Sequence, residues 1–223
     1  MVSVGNRIVE KKVVAPSINL FVVEAPRVAR KAKPGQFVVL RIDEKGERVP
    51  MTIADSDAER GEITLIVQEV GKTTLRMGML GAEDRLLDLV GPLGNASDIG
   101  YFGKVALVGG GIGIAPVFPI VRAMKKAGNF VVSIIGARSK ELLFWEERIR
   151  KFSDEVFVTT DDGSYGVKGF VTDALREVIS GERQVDLVVA IGPVVMMKAV
   201  ADTTRGPGIK TIVSLNPIMV DAT

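Results

Sequence analysis

The sequence predicts an N-terminal antiparallel β-barrel over residues 1–100 and a C-terminal α/β domain, a doubly wound parallel sheet, over residues 101–223. Three observations predict this. The first hundred residues read as short β segments broken by turn chemistry. From Gly100 onward, strands alternate with amphipathic helices. A glycine-rich run joins the first of those later strands to its helix. At 223 residues, against about 150 per domain, the length accommodates two modest cores.

In the first half the β segments are Ile18 to Val23, Gln36 to Ile42, Glu62 to Val70 and Leu86 to Val90, separated by turns such as Lys33-Pro34-Gly35 and Arg60-Gly61. Glu62 to Gln68 shows the two-residue period best: Ile63, Leu65 and Val67 share one face, although Ile66 breaks the pattern. In the second half, strand Lys104 to Val108 precedes helix Ala115 to Ala127, whose apolar stripe is Val117, Ile120, Val121 and Met124. Then come strand Phe130 to Ile135, helix Lys140 to Phe152, strand Val156 to Thr160 and helix Phe170 to Ile179. Strand Val185 to Ile191, helix Val194 to Thr204 and strand Thr211 to Ser214 complete the order. Five strands with helical crossovers make a doubly wound parallel sheet.

Composition narrows the chemistry. Lys plus Arg (29) nearly balances Asp plus Glu (27), so charge gives no reason to expect nucleic acid or an anionic membrane as partner. The chain has no Cys and no His, which excludes thiolate nucleophiles, imidazole bases and the usual zinc and iron–sulfur ligand sets. A cofactor that brings its own reactivity remains, and 24 glycines suit close backbone approach to phosphates. The apolar window Val105 to Val121 is interrupted by glycines and prolines and is too short for a membrane span. Residues 1–10 show no secretion signal, so the expected location is the cytoplasm.

Three segments could carry chemistry. Gly109-Gly110-Gly111-Ile112-Gly113-Ile114-Ala115-Pro116 joins a parallel strand to its helix, where free N–H groups and the helix dipole can hold a pyrophosphate. It departs from G-x-G-x-x-G, since the third glycine position is Ile114, and a merely tight turn stays open as the alternative. Gly71-Lys72-Thr73-Thr74 imitates the end of a Walker A loop, but the required earlier glycine is Ile66, so that reading is rejected. The segment either caps a surface helix or turns N–H groups and two hydroxyls toward a second diphosphate. Arg48-Val49-Pro50-Met51-Thr52 sets a guanidinium and a hydroxyl on one side of an extended segment, with a simply solvated Arg as the alternative.

Taken in order, Pro34-Gly35-Gln36-Phe37, Arg48-x-Pro50-Met51-Thr52, Gly71-Lys72-Thr73-Thr74, Gly91-Pro92-Leu93-Gly94, the turn ending Ala115-Pro116, and Gly192-Pro193-x-x-Met196 resemble the ferredoxin-NADP reductase superfamily over nearly the whole chain. Thr160-Asp161-Asp162-Gly163-Ser164-Tyr165-Gly166 and Ser214-Leu215-Asn216-Pro217-Ile218-Met219-Val220-Asp221 resemble the small flavoprotein subunits of NADH-dependent ferredoxin:NADP oxidoreductases, also called sulfide dehydrogenase β subunits. Electron-transfer subunits of dihydroorotate dehydrogenase are close relatives and the competing reading; a non-catalytic dinucleotide-binding regulator is the competitor from another class.

The resemblance implies an FAD-binding barrel followed by a nicotinamide-binding domain. Arg48 would clamp the FAD pyrophosphate, Thr52 would lie near flavin N5 beside Pro50 and Met51, and Val67 with Gln68 would flank the flavin and ribose. Gly71, Lys72, Thr73 and Thr74 would hold the diphosphate from the other side. Gly110, Gly111, Ile112, Gly113, Ile114, Ala115 and Pro116 would take the second dinucleotide's pyrophosphate, with Gly192, Pro193 and Met196 bordering its nicotinamide. Hydride would pass directly from nicotinamide to flavin, with no acid–base side chain required. Many relatives have Cys where this chain has Ile191, which removes a sulfur contact.

Asp161 and Asp162, at the implied adenosine end, favour NAD(H) over NADP(H), while Arg138 and Lys140 argue the other way. The implied partners are a larger catalytic subunit and ferredoxin. In the family a Cys-rich tail holding a 2Fe-2S cluster follows the position of Thr223; this sequence supplies no ligand for it, and the expectation is truncation.

Overall fold

The computed structural model of the protein describes residues 6–215, in two units divided between Ser97 and Asp98. In the first, strand follows strand: β1 (Asn6–Ala15), β2 (Ile18–Glu24), the single turn α1 (Pro26–Ala29), β3 (Phe37–Arg41), β4 (Val49–Asp57), β5 (Glu62–Gln68), the short helix α2 (Lys72–Gly78), β6 (Arg85–Leu86) and β7 (Asp88–Leu93). They form one antiparallel sheet in the order β6-β1-β2-β5-β4-β3-β7. The two edges of that order are neighbours in sequence, joined at Leu87, whose N–H reaches the Ile42 carbonyl at 3.2 Å, so the sheet curls into the nearly closed barrel expected.

Its core is filled by alternate residues: Ile63, Leu65 and Val67 of β5 point inward beside Phe21, Val23, Leu40 and Ile53. Ile66 is buried too, with its cross-strand partner Leu20, so β5 is covered on both faces at that point and the simple alternation fails there. β1 was not foreseen. Of its ten residues only Ile8 and Ala15 are buried, and Glu10, Lys11 and Lys12 interrupt any apolar period.

The second unit contains β8 (Lys104–Gly110), a 3₁₀ turn at residues 111–113, α3 (Ile114–Lys126), β9 (Phe130–Ala137), a second 3₁₀ turn at 140–142 and α4 (Glu146–Arg150). There follow β10 (Glu155–Thr160), β11 (Val167–Lys168), α5 (Val171–Ser180), β12 (Leu187–Ile191), α6 (Val194–Arg205) and β13 (Lys210–Val213). The sheet is parallel throughout, ordered β11-β10-β9-β8-β12-β13, so the doubly wound expectation holds, with β11 as an added two-residue edge. Strand order reverses at β8, which is buried along its whole length, and in sheets of this kind ligands bind beyond the carboxyl ends of the strands at the reversal, here β8 and β12. The predicted stripe of α3 is buried in full: Val117, Ile120, Val121 and Met124.

The expected helix Lys140 to Phe152 is a correction. Leu143 is extended and Trp145 adopts a left-handed φ of 61°, leaving only α4 helical beyond the 3₁₀ turn. Left-handed backbone costs a non-glycine residue about 1–3 kcal/mol. It is offset by aromatic packing: Trp145 meets Phe118 at 5.4 Å and Phe144 at 5.9 Å edge-on, and the Arg148 guanidinium lies 4.4 Å from its ring. Tertiary contact overrides the helical spacing of Leu142, Trp145 and Ile149.

Candidate functional site

In the barrel unit, Val49 and Met51 pack against the core, so the two-residue period of β4 places Pro50 and Thr52 on the opposite face. Met51 is thereby turned toward the core and partly buried. Val67 is fully buried, at 1% exposure, leaving half-buried Gln68 as the accessible member of that pair. Arg48, just before β4, is exposed, and its guanidinium has no partner among the described residues.

Gly71 is extended and N-caps α2, and a Cβ built on it would meet nothing nearer than Thr74 Oγ1 at 4.0 Å. The two hydroxyls of this segment are already used. Thr74 Oγ1 accepts the N–H groups of Val70 and Gly71 at 3.1 and 2.9 Å, and buried Thr73 donates its hydroxyl to Glu47 Oε2 at 3.0 Å. What the turn can offer a ligand is the main-chain N–H of Lys72, Thr73 and Thr74 at the helix start. The contacts of Glu47 and Asp43 with α2 had no sequence signal, because the partners are distant in the chain.

In the sheet unit the glycines of the β8–α3 turn serve different ends. A Cβ on Gly109 would press Val117 and Ile114 at 3.0 and 3.1 Å, and one on Gly113 would strike the Ile191 carbonyl oxygen at 2.1 Å. These two let the turn pack against α3 and β12. Gly111 has φ +55° and nothing within 4 Å of the Cβ position, so there the backbone faces open space. Exposed main chain at a strand-to-helix turn is the kind of surface against which a pyrophosphate can lie, so the open backbone is compatible with a dinucleotide. Ile114 and Ala115 are buried, so their side chains pack while any ligand contact falls to the main chain; Ile112 and Pro116 are half-buried.

The second turn, Gly192-Pro193, lies against the first. A Cβ on Gly192 would meet the Gly110 carbonyl oxygen at 3.0 Å, and Met196 crosses both turns, its Sδ 2.2 Å from the Cβ position of Gly110. The structure thus brings Gly110–Gly113, Gly192, Pro193 and Met196 together at the strand-order reversal.

At the ends of β9 and β10, the N–H groups of Asp161 and Asp162 donate to the carbonyls of Ala137 and Arg138, both at 3.1 Å, so the loops holding Arg138 and the two carboxylates lie side by side. Asp162 Oδ1 accepts the Ser164 hydroxyl at 2.6 Å and its N–H at 2.9 Å; these bonds hold the Asp162 carboxyl below the usual carboxylate range. Lys140 donates its N–H to Ser164 Oγ at 2.8 Å, and its ammonium lies 5.1 Å from the Tyr165 ring. The side chains of Asp161 and Arg138 are exposed and without partners among the described residues. Replacing Ser164 with Ala is expected to raise the Asp162 pKa toward its ordinary value, read by carboxyl-carbon NMR titration; an unmoved midpoint would refute the assigned cause.

Among the described residues, no group of three or more Asp, Glu, His or Cys is placed to hold a metal ion, and no helix is long and apolar enough to cross a membrane. The segment 216–221 that contributed to the resemblance lies outside the described residues.

Comparison with known proteins agrees with this architecture. Residues 107–202 match the family described as oxidoreductase NAD-binding domain. The chain is 47% identical over 98% of its length to the Thermotoga maritima dihydroorotate dehydrogenase B (NAD(+)) electron transfer subunit homolog, of which it covers 77%. It is 32% identical over 89% of its length to the electron transfer subunit from Geobacillus thermodenitrificans, covering 78% of it. Among solved structures, that of the NADH-dependent reduced ferredoxin-NADP oxidoreductase superposes with a TM-score of 0.91 at 46% identity, over 99% of this chain and 79% of that one. Phthalate dioxygenase reductase, at 19% identity and a TM-score of 0.74 over 94% of this chain and 66% of that one, shares the fold.

Proposed function

The chain belongs to the family of dihydroorotate dehydrogenase B electron transfer subunits and their homologues, and from that premise we propose that it is a flavoprotein subunit that takes reducing equivalents from NADH onto FAD and passes them to a larger partner subunit. When bound, FAD supplies a ring that accepts electrons in pairs and releases them singly. The residues of the chain bind and orient. Arg48 and the amides of Lys72 to Thr74 hold the flavin dinucleotide's phosphates, and Thr52, on the outward face of β4, offers its hydroxyl to flavin N5. The Gly110–Pro116 turn receives the nicotinamide dinucleotide's pyrophosphate, and Gly192, Pro193 and Met196 border its ring. No side chain moves a proton in this scheme, consistent with a chain that lacks His.

Assignment of residues 1–100 to FAD and 101–223 to the nicotinamide dinucleotide is part of the same proposal, as are ferredoxin as an electron partner and a cytoplasmic location. NADH is preferred over NADPH because Asp161, a carboxylate without a partner among the described residues, lies in the loop where a 2′-phosphate would bind and the 46%-identical structure is that of an NADH-dependent protein; Arg138 in the adjoining loop argues the other way. Service to a dihydroorotate-oxidising subunit is equally compatible with the relatives' names.

The observation that carries the reading is Gly111: a left-handed residue facing open space on the turn at the strand-order reversal. Purified protein is expected to be yellow and to bleach when NADH is added without oxygen, with kcat/KM for NADH at least about tenfold above that for NADPH, a difference of about 1.4 kcal/mol. A colourless protein that FAD cannot reconstitute would overturn the function, and comparable constants would remove the cofactor preference alone.

A further inference from the structure

Residues 43–48 contain Asp43, Glu44, Lys45, Glu47 and Arg48. An exposed loop of that composition has every opportunity to neutralise its own arginine by an internal ion pair. The structure draws two of the three carboxylates elsewhere and leaves exposed Glu44 without a partner among the described residues. Asp43 pairs with Arg76 of α2 and accepts the Lys45 N–H at 2.9 Å, and Glu47 accepts the buried Thr73 hydroxyl at 3.0 Å. Arg48 is left exposed, with no hydrogen bond or ion pair among the described residues.

We propose that Thr73 and Arg76 are positioning residues: by holding Glu47 and Asp43 against α2 they keep the Arg48 guanidinium free for the diphosphate of FAD. This rests on the reading of Arg48 as a phosphate ligand, and it gives Thr73 a different task from direct contact with the cofactor. The hydroxyl selects where a carboxylate sits, and the carboxylate's absence from Arg48 leaves a full positive charge for phosphate oxygens. The same tether fixes the distance between Glu47 and the incoming diphosphate, which would otherwise meet a mobile negative charge.

The test is FAD affinity, measured by flavin fluorescence quenching on the full chain after removal of its flavin. Thr73→Val keeps the side-chain shape and releases Glu47, so the Kd for FAD is expected to rise about fivefold, the upper range for an exposed ion pair competing for Arg48. Adding Glu47→Gln to Thr73→Val should restore the Kd to near the wild-type value, because a neutral amide does not neutralise arginine. Glu47→Gln alone, whose amide oxygen still accepts the Thr73 hydroxyl, should bind FAD at least as tightly as wild type.

An unchanged Kd in Thr73→Val overturns the proposal. So does a loss that Glu47→Gln leaves unrepaired, since the hydroxyl would then be touching the cofactor itself. Arg48→Ala separates the two levels: if it leaves the Kd unchanged, the phosphate-ligand reading fails, whereas a weakened Arg48→Ala beside an unrepaired Thr73→Val sinks only the positioning role. Should Thr73→Val not fold, as judged by the melting of the flavin-free protein, Arg76→Met with Asp43→Asn as its rescue puts the same question through the other tether.

Discussion

Gly113→Ala is expected to abolish NADH-driven reduction of the flavin while the protein still binds FAD. The residue has an ordinary helical backbone, φ −63° and ψ −13°, so conformational freedom is not what glycine supplies here. Space is. The added methyl would lie 2.1 Å from the carbonyl oxygen of Ile191, 2.6 Å from its carbon and 2.8 Å from the Cα of Gly192, all of them main chain. No rotamer can relieve such contacts, so the β8–α3 turn and the end of β12 must separate, and the separation disturbs both turns proposed to receive the nicotinamide dinucleotide.

A cost of about 3 kcal/mol, typical of severe overpacking, corresponds to a loss of more than about 100-fold in NADH affinity if it is expressed at the site. Gly111→Ala is the informative contrast, because its Cβ meets nothing and only the left-handed φ of +55° is at stake, a penalty of about 1–2 kcal/mol. Rapid-mixing measurements of flavin bleaching across NADH concentrations give both numbers. A Gly113→Ala protein reduced by NADH as fast and at the same half-saturation as wild type would show that this close approach has no part in dinucleotide binding.

That contrast marks how far the sequence could be read. The glycine-rich run was legible as a tight strand-to-helix turn, yet the separate duties of its members depend on Ile191, Val117 and Met196, residues that only the folded chain brings near. Strands β2, β3 and β5 were legible as apolar runs bounded by turn residues, whereas β1 is interrupted by charged residues and buries only two of its ten. Met51 and Val67 belong to motifs, which specify a stretch of backbone without saying which way its side chains turn; both turn inward. The helix expected over 140–152 failed where three aromatics found partners better than those of a continuous helix. Long-range side-chain bonds, such as Thr73 to Glu47, leave no periodic trace at all.

The same kind of bond governs the largest expected loss of stability. Asn129 is 2% exposed, and its amide joins four main-chain groups: Oδ1 accepts the N–H of Phe102 at 2.7 Å and of Gly103 at 3.1 Å, while Nδ2 donates to the carbonyls of Gly100 at 2.8 Å and Met124 at 2.9 Å. It ties the segment entering β8 to the end of α3. Asn129→Ala strands these groups at the bottom edge of the sheet, and with about 1–3 kcal/mol for each polar group left unsatisfied, less whatever water recovers, a net loss of about 3–5 kcal/mol follows. In thermal unfolding that amounts to a fall of about 10 °C or more.

Asn129→Asp distinguishes lost bonds from lost volume. Its carboxylate can still accept from Phe102 and Gly103, but the other oxygen would face the Gly100 and Met124 carbonyls with no proton to give. Burial and those lone pairs disfavour the charge, so the folded-state pKa of the new Asp rises above its unfolded value. Its stability is therefore greatest below the unfolded pKa of about 3.9 and declines as pH rises through the folded pKa. The wild-type amide does not titrate, so the difference in melting temperature between wild type and Asn129→Asp should widen from acid toward neutral pH. A gap that stays constant across that range, or an Asn129→Ala protein that melts with wild type, would mean that the four bonds contribute little to holding the segment in place.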